Sequence, residues 1–261
     1  MLFDFPHILF MVISFSIVAV LEIVFFKYVH NQKTKDTILK ISALLTLIIH
    51  HSSLWYDFIV NKQAIIEENM LFMIYPCNVA MWFLFIYAFI DYKDNIVMKM
   101  LAEYTFYLGI FGGIIGIMFN QNYGSNPNLF DFHIFKGLLS HATMLFGAIY
   151  LRVGGYMEIR FKNVISAVIG YLFMLLNAFV IIKIYDKIGM EVDNPMFLME
   201  APIDKYPFIN IYTMGLTGLI LLSIITITYE YFFLKKEDRW YSIIINKMNK
   251  KKEEKENEWF Y

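Results

Sequence analysis

Long apolar stretches, separated by shorter polar ones, follow one another along most of the chain. A helix needs about 20 consecutive apolar residues to cross the hydrocarbon core of a bilayer. Seven stretches approach this length, at 7–29, 37–58, 70–90, 97–119, 133–152, 163–185 and 207–234. The pattern therefore predicts an all-α membrane protein whose first domain, residues 1–234, is a bundle of about seven transmembrane helices.

The pattern changes after residue 234, where lysine and arginine alternate with aromatic and aliphatic residues. Trp240 and Tyr241 precede three consecutive isoleucines, 243–245, and a charged end follows. A basic segment with apolar residues at helical spacing is typical of a helix that lies in the membrane interface. Residues 235–261 are therefore predicted to form a basic, amphipathic cytoplasmic tail.

The positive charges between the stretches indicate an orientation. Lysine and arginine are concentrated in every second connection and in the tail, namely Lys27, Lys33, Lys35, Lys40, Lys93, Lys99, Arg152, Arg160, Lys162, Lys235, Lys236 and Arg239. The alternate connections carry few positive charges or balance them with acidic residues. Because cytoplasmic loops are enriched in lysine and arginine, the N-terminus is predicted outside and the C-terminus inside. We expect a multi-pass protein of the cell membrane.

Composition supports this and excludes several classes of protein. Hydrophobic residues make up 59% of the chain and charged residues 17%, whereas soluble domains average about 45–50% and 25%. The net charge of -1 argues against nucleic-acid binding, and the single cysteine, Cys77, excludes an internal disulfide framework. No phosphate-binding glycine loop, metalloprotease helix or serine-hydrolase elbow occurs. We expect membrane lipids as partners and no cofactor or metal, and nothing indicates an oligomeric state.

Polar side chains inside spans are costly and mark candidate sites. Six of them fall at a similar level on four spans, namely His50, His51, Cys77, Asn78, His141 and Asn177. They predict one polar pocket that opens outward. Packing is the alternative for each, because a buried cysteine usually acts as a small apolar residue. Adjacent histidines on a helix point about 100° apart, so at most one of His50 and His51 faces a shared pocket.

Two carboxyl groups and a row of glycines also lie inside the spans. Glu22 and Glu103 are predicted to pair with Lys27 and Lys99 near the membrane surface, or alternatively to mark a proton or substrate path. The fourth span contains overlapping small-xxx-small pairs formed by Gly109, Gly112, Gly113 and Gly116. This spacing predicts close packing of that helix against a neighbour.

Three short patches occur in a fixed order. They are Tyr75-Pro76-Cys77-Asn78-Val79, then Ser140-His141-Ala142 with Ile149-Tyr150-Leu151-Arg152, and finally Asn194-Pro195-Met196-Phe197-Leu198 with Ala201-Pro202 and Pro207. In order and separation, over nearly the whole chain, they resemble the YwaF-like integral membrane family. That family includes the eukaryotic transmembrane acyltransferase that acts on ether phospholipids.

The resemblance implies a seven-helix fold and a catalytic pair of Cys77 and His141. Cys77 would accept an acyl group from a phospholipid as a thioester, and His141 would transfer protons. Asn78 stands where the eukaryotic branch usually has a histidine. An asparagine can donate to an oxyanion but cannot act as a base. With Asn78, we predict that His50, His51, Asn177 and Asn194 bind substrate.

Three functions are compatible with these patterns. The first is an intramembrane, cysteine-dependent acyltransferase that acts on membrane phospholipids. The second is non-enzymatic, a small-solute transporter or the membrane-embedded substrate-binding subunit of one, although no inverted repeat is evident. The third is a structural or assembly role that uses the basic tail.

Overall fold

A computed structural model describes residues 2–62, 73, 75–189, 198, 210–246 and 248–249. Within these residues the chain forms helices and no strand. The seven longer helices are α1 (Phe5–Tyr28), α2 (Gln32–Ile59), α3 (Pro76–Phe89), α4 (Ile96–Met118), α5 (Phe132–Val153), α6 (Val164–Ile188) and α7 (Ile211–Phe233). A short helix, Gln121–Ser125, follows α4, and 3₁₀ turns occur at Phe161–Asn163 and Lys236–Asp238. The all-α prediction is confirmed.

Six helices in the described ranges are long and apolar enough to cross a membrane, and α3 is shorter. With 14 residues, α3 measures only about 21 Å at 1.5 Å per residue. Pro76 occupies its first turn and Tyr75 before it is extended. Since proline disfavours helical backbone in the residue before it, the helix begins there. The predicted third span, 70–90, begins before Pro76, and most of its residues 70–75 lie outside the described part of the chain.

The starts of the helices have a common local cause. In five of the seven helices, the residue before the first helical turn is an asparagine or aspartate whose side chain accepts a backbone N–H. These residues are Asp4, Asn31, Asn95, Asp131 and Asn210. Each such cap contributes about 1 kcal/mol to helix stability. The predicted starts of the first, fourth, fifth and sixth spans fall within two residues of the observed ones.

The core of the bundle surrounds α5. This helix packs most extensively against α4 and α2, and also contacts α1 and α3. Its fully buried residues include Leu138, Met144, Ala148 and Leu151. By contrast, α1 and α7 bury only a narrow stripe each and present large apolar side chains outward. Such a surface suits a helix that faces lipid.

The glycines of α4 allow it to approach α5 closely. A Cβ added at Gly109 would lie 2.6 Å from the Cβ of Ala148, and one at Gly113 would lie 2.8 Å from the Cβ of Leu145. Real Cβ atoms do not come this close, so only glycine fits at these positions. The prediction of close helix packing from the small-xxx-small pairs is confirmed.

Glu230 joins separate segments of the chain at the end of the bundle opposite Cys77. Its two carboxylate oxygens accept the backbone N–H groups of Phe161 (2.8 Å) and Trp240 (2.7 Å). Trp240 packs against Phe161 with ring centroids 5.2 Å apart, and helical backbone continues through residue 246. The beginning of the predicted tail therefore folds back onto the bundle. The domain boundary at residue 234 stays a prediction.

The predicted ion pairs of the two carboxyl groups in the spans are wrong. Glu103 accepts a hydrogen bond from the Ser166 hydroxyl at 2.5 Å rather than pairing with Lys99. Glu22 is buried, and neither of its oxygens has a partner among the described residues, so it does not pair with Lys27. Glu22 lies on the inward face of α1, where its side chain reaches the bundle interior instead of the membrane surface.

Candidate functional site

Cys77 lies in the first turn of α3, on a face that turns toward α2, α4 and α5. Its backbone Cα and its Cβ lie 3.9 Å from the point where a Cβ on Gly112 would stand. The side chain packs against an apolar cluster that includes Leu47 of α2 and Met144 of α5. Cys77 is a free cysteine and the residue is half-buried. It therefore lies at a junction of four helices.

His141 lies on α5 and packs against the same face of α4, one turn further along. A Cβ on Gly116 would overlap its imidazole ring, so the glycine provides the space that the ring occupies. The Nδ1 atom of His141 lies 2.7 Å from the carbonyl oxygen of Gly137, one turn back on its own helix. Since a carbonyl only accepts, Nδ1 carries the proton in the neutral ring and Nε2 carries a lone pair.

The spacing of Gly112 and Gly116 limits the distance between the thiol and the imidazole. Residues four apart on a helix have Cβ positions about 5–6 Å apart, which places the Cβ of Cys77 within about 12 Å of the His141 ring. No hydrogen bond joins the two side chains in the described part of the chain. A group bound between them could contact both, whereas direct proton transfer requires a hydrogen-bond distance.

Asn78 follows Cys77, and both polar atoms of its side-chain amide form hydrogen bonds. Its Oδ1 accepts the backbone N–H of Tyr75 at 3.0 Å, which caps α3. The amide nitrogen therefore faces His50 and donates to its Nε2 at 2.8 Å. Both residues are buried. Asn78 thus joins α3 to α2 and fixes the tautomer of His50, a scaffold role that the sequence did not indicate.

His51 follows His50 on α2, and their ring centroids lie 5.1 Å apart. Its ring stands at 89° to that of His50 and packs edge-on against Trp82 of α3, with centroids 5.6 Å apart. Its Nδ1 donates to the carbonyl of Leu47 at 2.8 Å. Like His141, it keeps an Nε2 lone pair without a hydrogen bond to any residue that the structure describes.

Lys136 is a buried cation that the sequence analysis did not select as a site residue. Its ammonium group donates to the carbonyl oxygen of His50 (3.3 Å) and to the Ser53 hydroxyl (3.2 Å). One turn earlier on α5, His133 lies 3.1 Å from the Asp57 carboxylate of α2. These contacts bring polar groups of α5 to the same end of α2 that holds His50. In the sequence, Lys136 is recognisable only as a charged residue inside an otherwise apolar stretch.

Asn177 and Asn194 were also predicted to bind substrate. Asn177 of α6 donates its amide to the carbonyl oxygen of Met73 at 2.7 Å, which ties the segment before α3 to α6. It therefore lies at the level of the site but does not contact Cys77 or His50. Asn194 and the patch that surrounds it lie outside the described residues. Substrate binding by either residue stays a prediction.

A second histidine network lies at the beginning of α1. His7 is fully buried, accepts the backbone N–H of Phe3 at its Nδ1 (3.1 Å), and donates from Nε2 to the carbonyl of Ile117 (2.8 Å). Its ring stacks on Tyr123, whose hydroxyl donates to Asp4 at 2.6 Å. This bond holds the pKa of Asp4 below its usual range. Both ring nitrogens of His7 are used, so the network anchors α1 to the end of α4.

The arrangement around α4 supplies the parts of a nucleophilic site. The thiol of Cys77 and the imidazole of His141, whose Nε2 has no hydrogen bond to a described residue, flank one glycine-lined helix face, and both residues are half-buried. Within the described ranges no group of three histidine, cysteine or acidic side chains could hold a metal ion. The donors present suit covalent acyl chemistry at sulfur with proton transfer by histidine.

Comparisons with known proteins give one match. The model of the TMEM164 family matches residues 2–229, which is most of the chain and includes every described residue of the bundle up to that point. The chain therefore belongs to the TMEM164 family. Searches among curated proteins and among solved structures find no match.

Proposed function

We propose that this member of the TMEM164 family is an intramembrane acyltransferase that acts on membrane phospholipids through Cys77. The observation that carries the proposal is that Cys77 lies beside Gly112 and His141 packs against Gly116, two glycines one turn apart on the same face of α4. The glycine at 116 lets the imidazole pack directly against α4, and the glycine at 112 lies beside the first turn of α3, so both reactive side chains border one helix face. The resemblance of the Cys77 and His141 patches to the YwaF-like family supports the same chemistry.

The reaction would proceed in two balanced steps. In the first, Cys77 Sγ attacks the carbonyl carbon of a phospholipid ester, the carbon–oxygen bond breaks, and the lysolipid oxygen receives the thiol proton by way of His141 Nε2. In the second, the hydroxyl of an acceptor lysolipid attacks the thioester and gives its proton to His141. The thiol then leaves and is reprotonated. The Nδ1–H bond to Gly137 favours this use of Nε2.

We also propose that the bundle has seven spans, with the N-terminus outside and the tail inside the cell. The positive charges at alternate connections support this orientation. In this arrangement Cys77, His50 and His141 lie toward the outer leaflet and share an outward-facing pocket. An epitope at the N-terminus should be accessible to antibody on intact cells, and one at the C-terminus only after permeabilisation.

The acyl intermediate can be tested directly because Cys77 is the only cysteine. Cells that express the wild type, Cys77→Ser or His141→Ala would be fed a clickable fatty acid, and the purified protein treated with hydroxylamine. We expect label on the wild type that hydroxylamine removes, no label on Cys77→Ser, and loading slowed about 100-fold in His141→Ala. His133→Gln is the matched control, since His133 lies on the same helix but faces Asp57.

The same experiment distinguishes the non-enzymatic alternative. A well-expressed wild type that carries no hydroxylamine-sensitive label would contradict the acyltransferase proposal. The polar groups around His50 and Cys77 would then be better explained as a binding pocket for a transported solute.

A further inference from the structure

Lys136 is a buried cation to which the proposed acyl transfer gives no role. The residue is 8% exposed, whereas every other lysine and arginine in the described part of the chain is half-buried or exposed. A charged side chain inside a membrane span is costly, faces the interior of the bundle and commonly marks a functional site. The position of this charge relative to Cys77 and His141 therefore bears on the chemistry of the site.

Two hydrogen bonds orient the ammonium group of Lys136 against α2. Its Nζ donates to the backbone carbonyl oxygen of His50 at 3.3 Å and to the hydroxyl oxygen of Ser53 at 3.2 Å. Both acceptors are uncharged, so these two bonds hold the ammonium group in place without neutralising it. Asp57, one turn further along α2, lies 3.1 Å from the imidazole of His133. The contacts with α2 therefore fix a positive charge at the interface of α2 and α5.

This charge lies close to both members of the proposed reactive pair. The same His50 whose carbonyl accepts from Lys136 bonds through its ring to the amide of Asn78 at 2.8 Å, and Asn78 follows Cys77 on α3. On α5, His141 lies five residues from Lys136, which is about 7.5 Å along the helix axis. The charge of Lys136 acts on the Cys77 thiol and on the His141 imidazole alike. Cation, thiol and imidazole thus share one region of the bundle.

Attack of Cys77 on an ester creates negative charge in this region. The charge arises first on the sulfur and then on the carbonyl oxygen of the tetrahedral intermediate. Asn78 is neutral, and its amide already bonds to His50. A cation that is held nearby in a low-dielectric interior stabilises such charge more strongly than the same cation does in water. Lys136 has the sign and the placement that this reaction needs.

We propose that the ammonium group of Lys136 stabilises the negative charge that arises at Cys77 when the thiol loses its proton and attacks an ester. No proton leaves Lys136 in this step. The thiol proton passes to His141, the sulfur–carbon bond forms, and the ammonium group acts through its charge alone. The inference rests on the proposed function of Cys77 as the nucleophile, and it adds an electrostatic residue to the pair of Cys77 and His141.

The test measures the reactivity of Cys77 without any lipid substrate. Methyl methanethiosulfonate is a small uncharged reagent that modifies a thiolate far faster than a thiol, and Cys77 is the only cysteine that can react. In the full-length protein at neutral pH, we expect Lys136→Gln to slow the modification about tenfold and Lys136→Arg to keep most of the wild-type rate. A merely structural role predicts the opposite, because a loosened bundle exposes the thiol and speeds its modification.

Two further variants separate the charge from its surroundings. Lys99→Gln removes a positive charge from an exposed position near the beginning of α4. Ser53→Ala removes one hydrogen bond of the Lys136 ammonium group and keeps the charge. Both variants should react at about the wild-type rate, since neither changes the charge beside Cys77.

Three results would overturn the inference. They are equal rates in the wild type and Lys136→Gln, a Lys136→Arg variant as slow as Lys136→Gln, and a wild-type thiol that does not react. If Lys136→Gln does not yield folded protein, an anionic and a cationic methanethiosulfonate are compared on the wild type, with each rate divided by that of a free thiol. A nearby ammonium group predicts that the anionic reagent is favoured about tenfold, and equal normalised rates would also overturn the inference.

Acyl loading of Cys77 is measured separately, so the two proposals can fail independently. A wild type that carries no acyl label, together with slow modification of Lys136→Gln, contradicts the acyltransferase and retains the influence of Lys136 on the thiol. Normal acyl loading together with equal modification rates contradicts only the role of Lys136.

Discussion

The two ends of the bundle use polar side chains in different ways. At the end that holds Cys77, which we call the thiol end, His51 and His141 donate to carbonyls of their own helices and keep an open Nε2. At the opposite end, which holds Glu103 and Glu230 and which we call the carboxylate end, acidic oxygens accept hydrogen bonds from other segments. The thiol end retains groups that can react, whereas the carboxylate end joins segments of the chain.

This difference has an energetic origin. A histidine bonded to the carbonyl four residues back satisfies one nitrogen locally and needs no tertiary partner for it. A buried carboxylate must be satisfied from outside its own helix, and charge-assisted bonds to backbone N–H groups do so at about 1.5–3 kcal/mol each. Stability should therefore depend more on Glu230, and chemistry more on the neighbours of Cys77.

The largest expected effect on stability comes from the carboxylate end. Glu230→Ala leaves the buried N–H groups of Phe161 and Trp240 without their acceptor, so we expect a loss of roughly 3 kcal/mol in the free energy of unfolding. Thermal unfolding in detergent and trypsin cleavage at Arg239 would measure it. Glu158→Ala is the control, because the Glu158 side chain is 70% exposed and its surface pair contributes at most about 1 kcal/mol. Equal effects of the two variants would contradict the role of Glu230.

A smaller loss of stability, but a larger loss of chemistry, is expected at the thiol end. Gly116→Ala places a methyl group in the space of the His141 ring, so the ring must move. We expect acyl loading of Cys77 to fall at least about tenfold, with a stability cost of about 1–3 kcal/mol. Gly218→Ala on α7 is the control, since nothing lies within 4 Å of its added Cβ. Normal loading in Gly116→Ala would remove His141 from the proposed mechanism.

The sequence predicted the helices better than it predicted the contacts between them. Hydrophobic stretches are local features, so the spans were recognisable. The partners of Asn78 depend on which faces of α2 and α3 meet, and the burial of Glu22 depends on which face of α1 packs inward; no local pattern predicts either. The side chain of Asn78 caps α3 and bonds to His50, and its predicted role in substrate binding stays a prediction. His7 was overlooked because it lies at the edge of a span, where a polar residue is unremarkable.

The scaffold role of Asn78 predicts an intermediate effect. Asn78→Ala removes both the cap of α3 and the bond to His50, and we expect it to cost about 2 kcal/mol. Asn95→Ala removes the cap of α4 and one exposed bond to the Tyr92 carbonyl, and should cost about 1 kcal/mol. The difference between the two unfolding free energies measures the contact between α3 and α2. If Asn78→Ala stops acyl loading without loss of stability, Asn78 acts on the substrate instead.

The smallest expected effect concerns Asp4, a carboxylate that joins two segments of the chain near the thiol end. The Tyr123 hydroxyl bonds to Asp4 and, as the largest influence on it, lowers the pKa of Asp4. A carboxyl group whose pKa is lower in the folded state stabilises the fold above its unfolded pKa of about 3.9, and this contribution disappears as the pH falls through the folded value. Tyr123→Phe should therefore lower the unfolding temperature by about 1–2 °C at pH 7, and this deficit should shrink as the pH falls below about 3.9. Tyr92→Phe, at a position that is 73% exposed, should show no such pH dependence. A deficit in Tyr123→Phe that persists unchanged at low pH would mean that Tyr123 acts through its stacking on His7, and the anchor of α1 would then be aromatic rather than electrostatic.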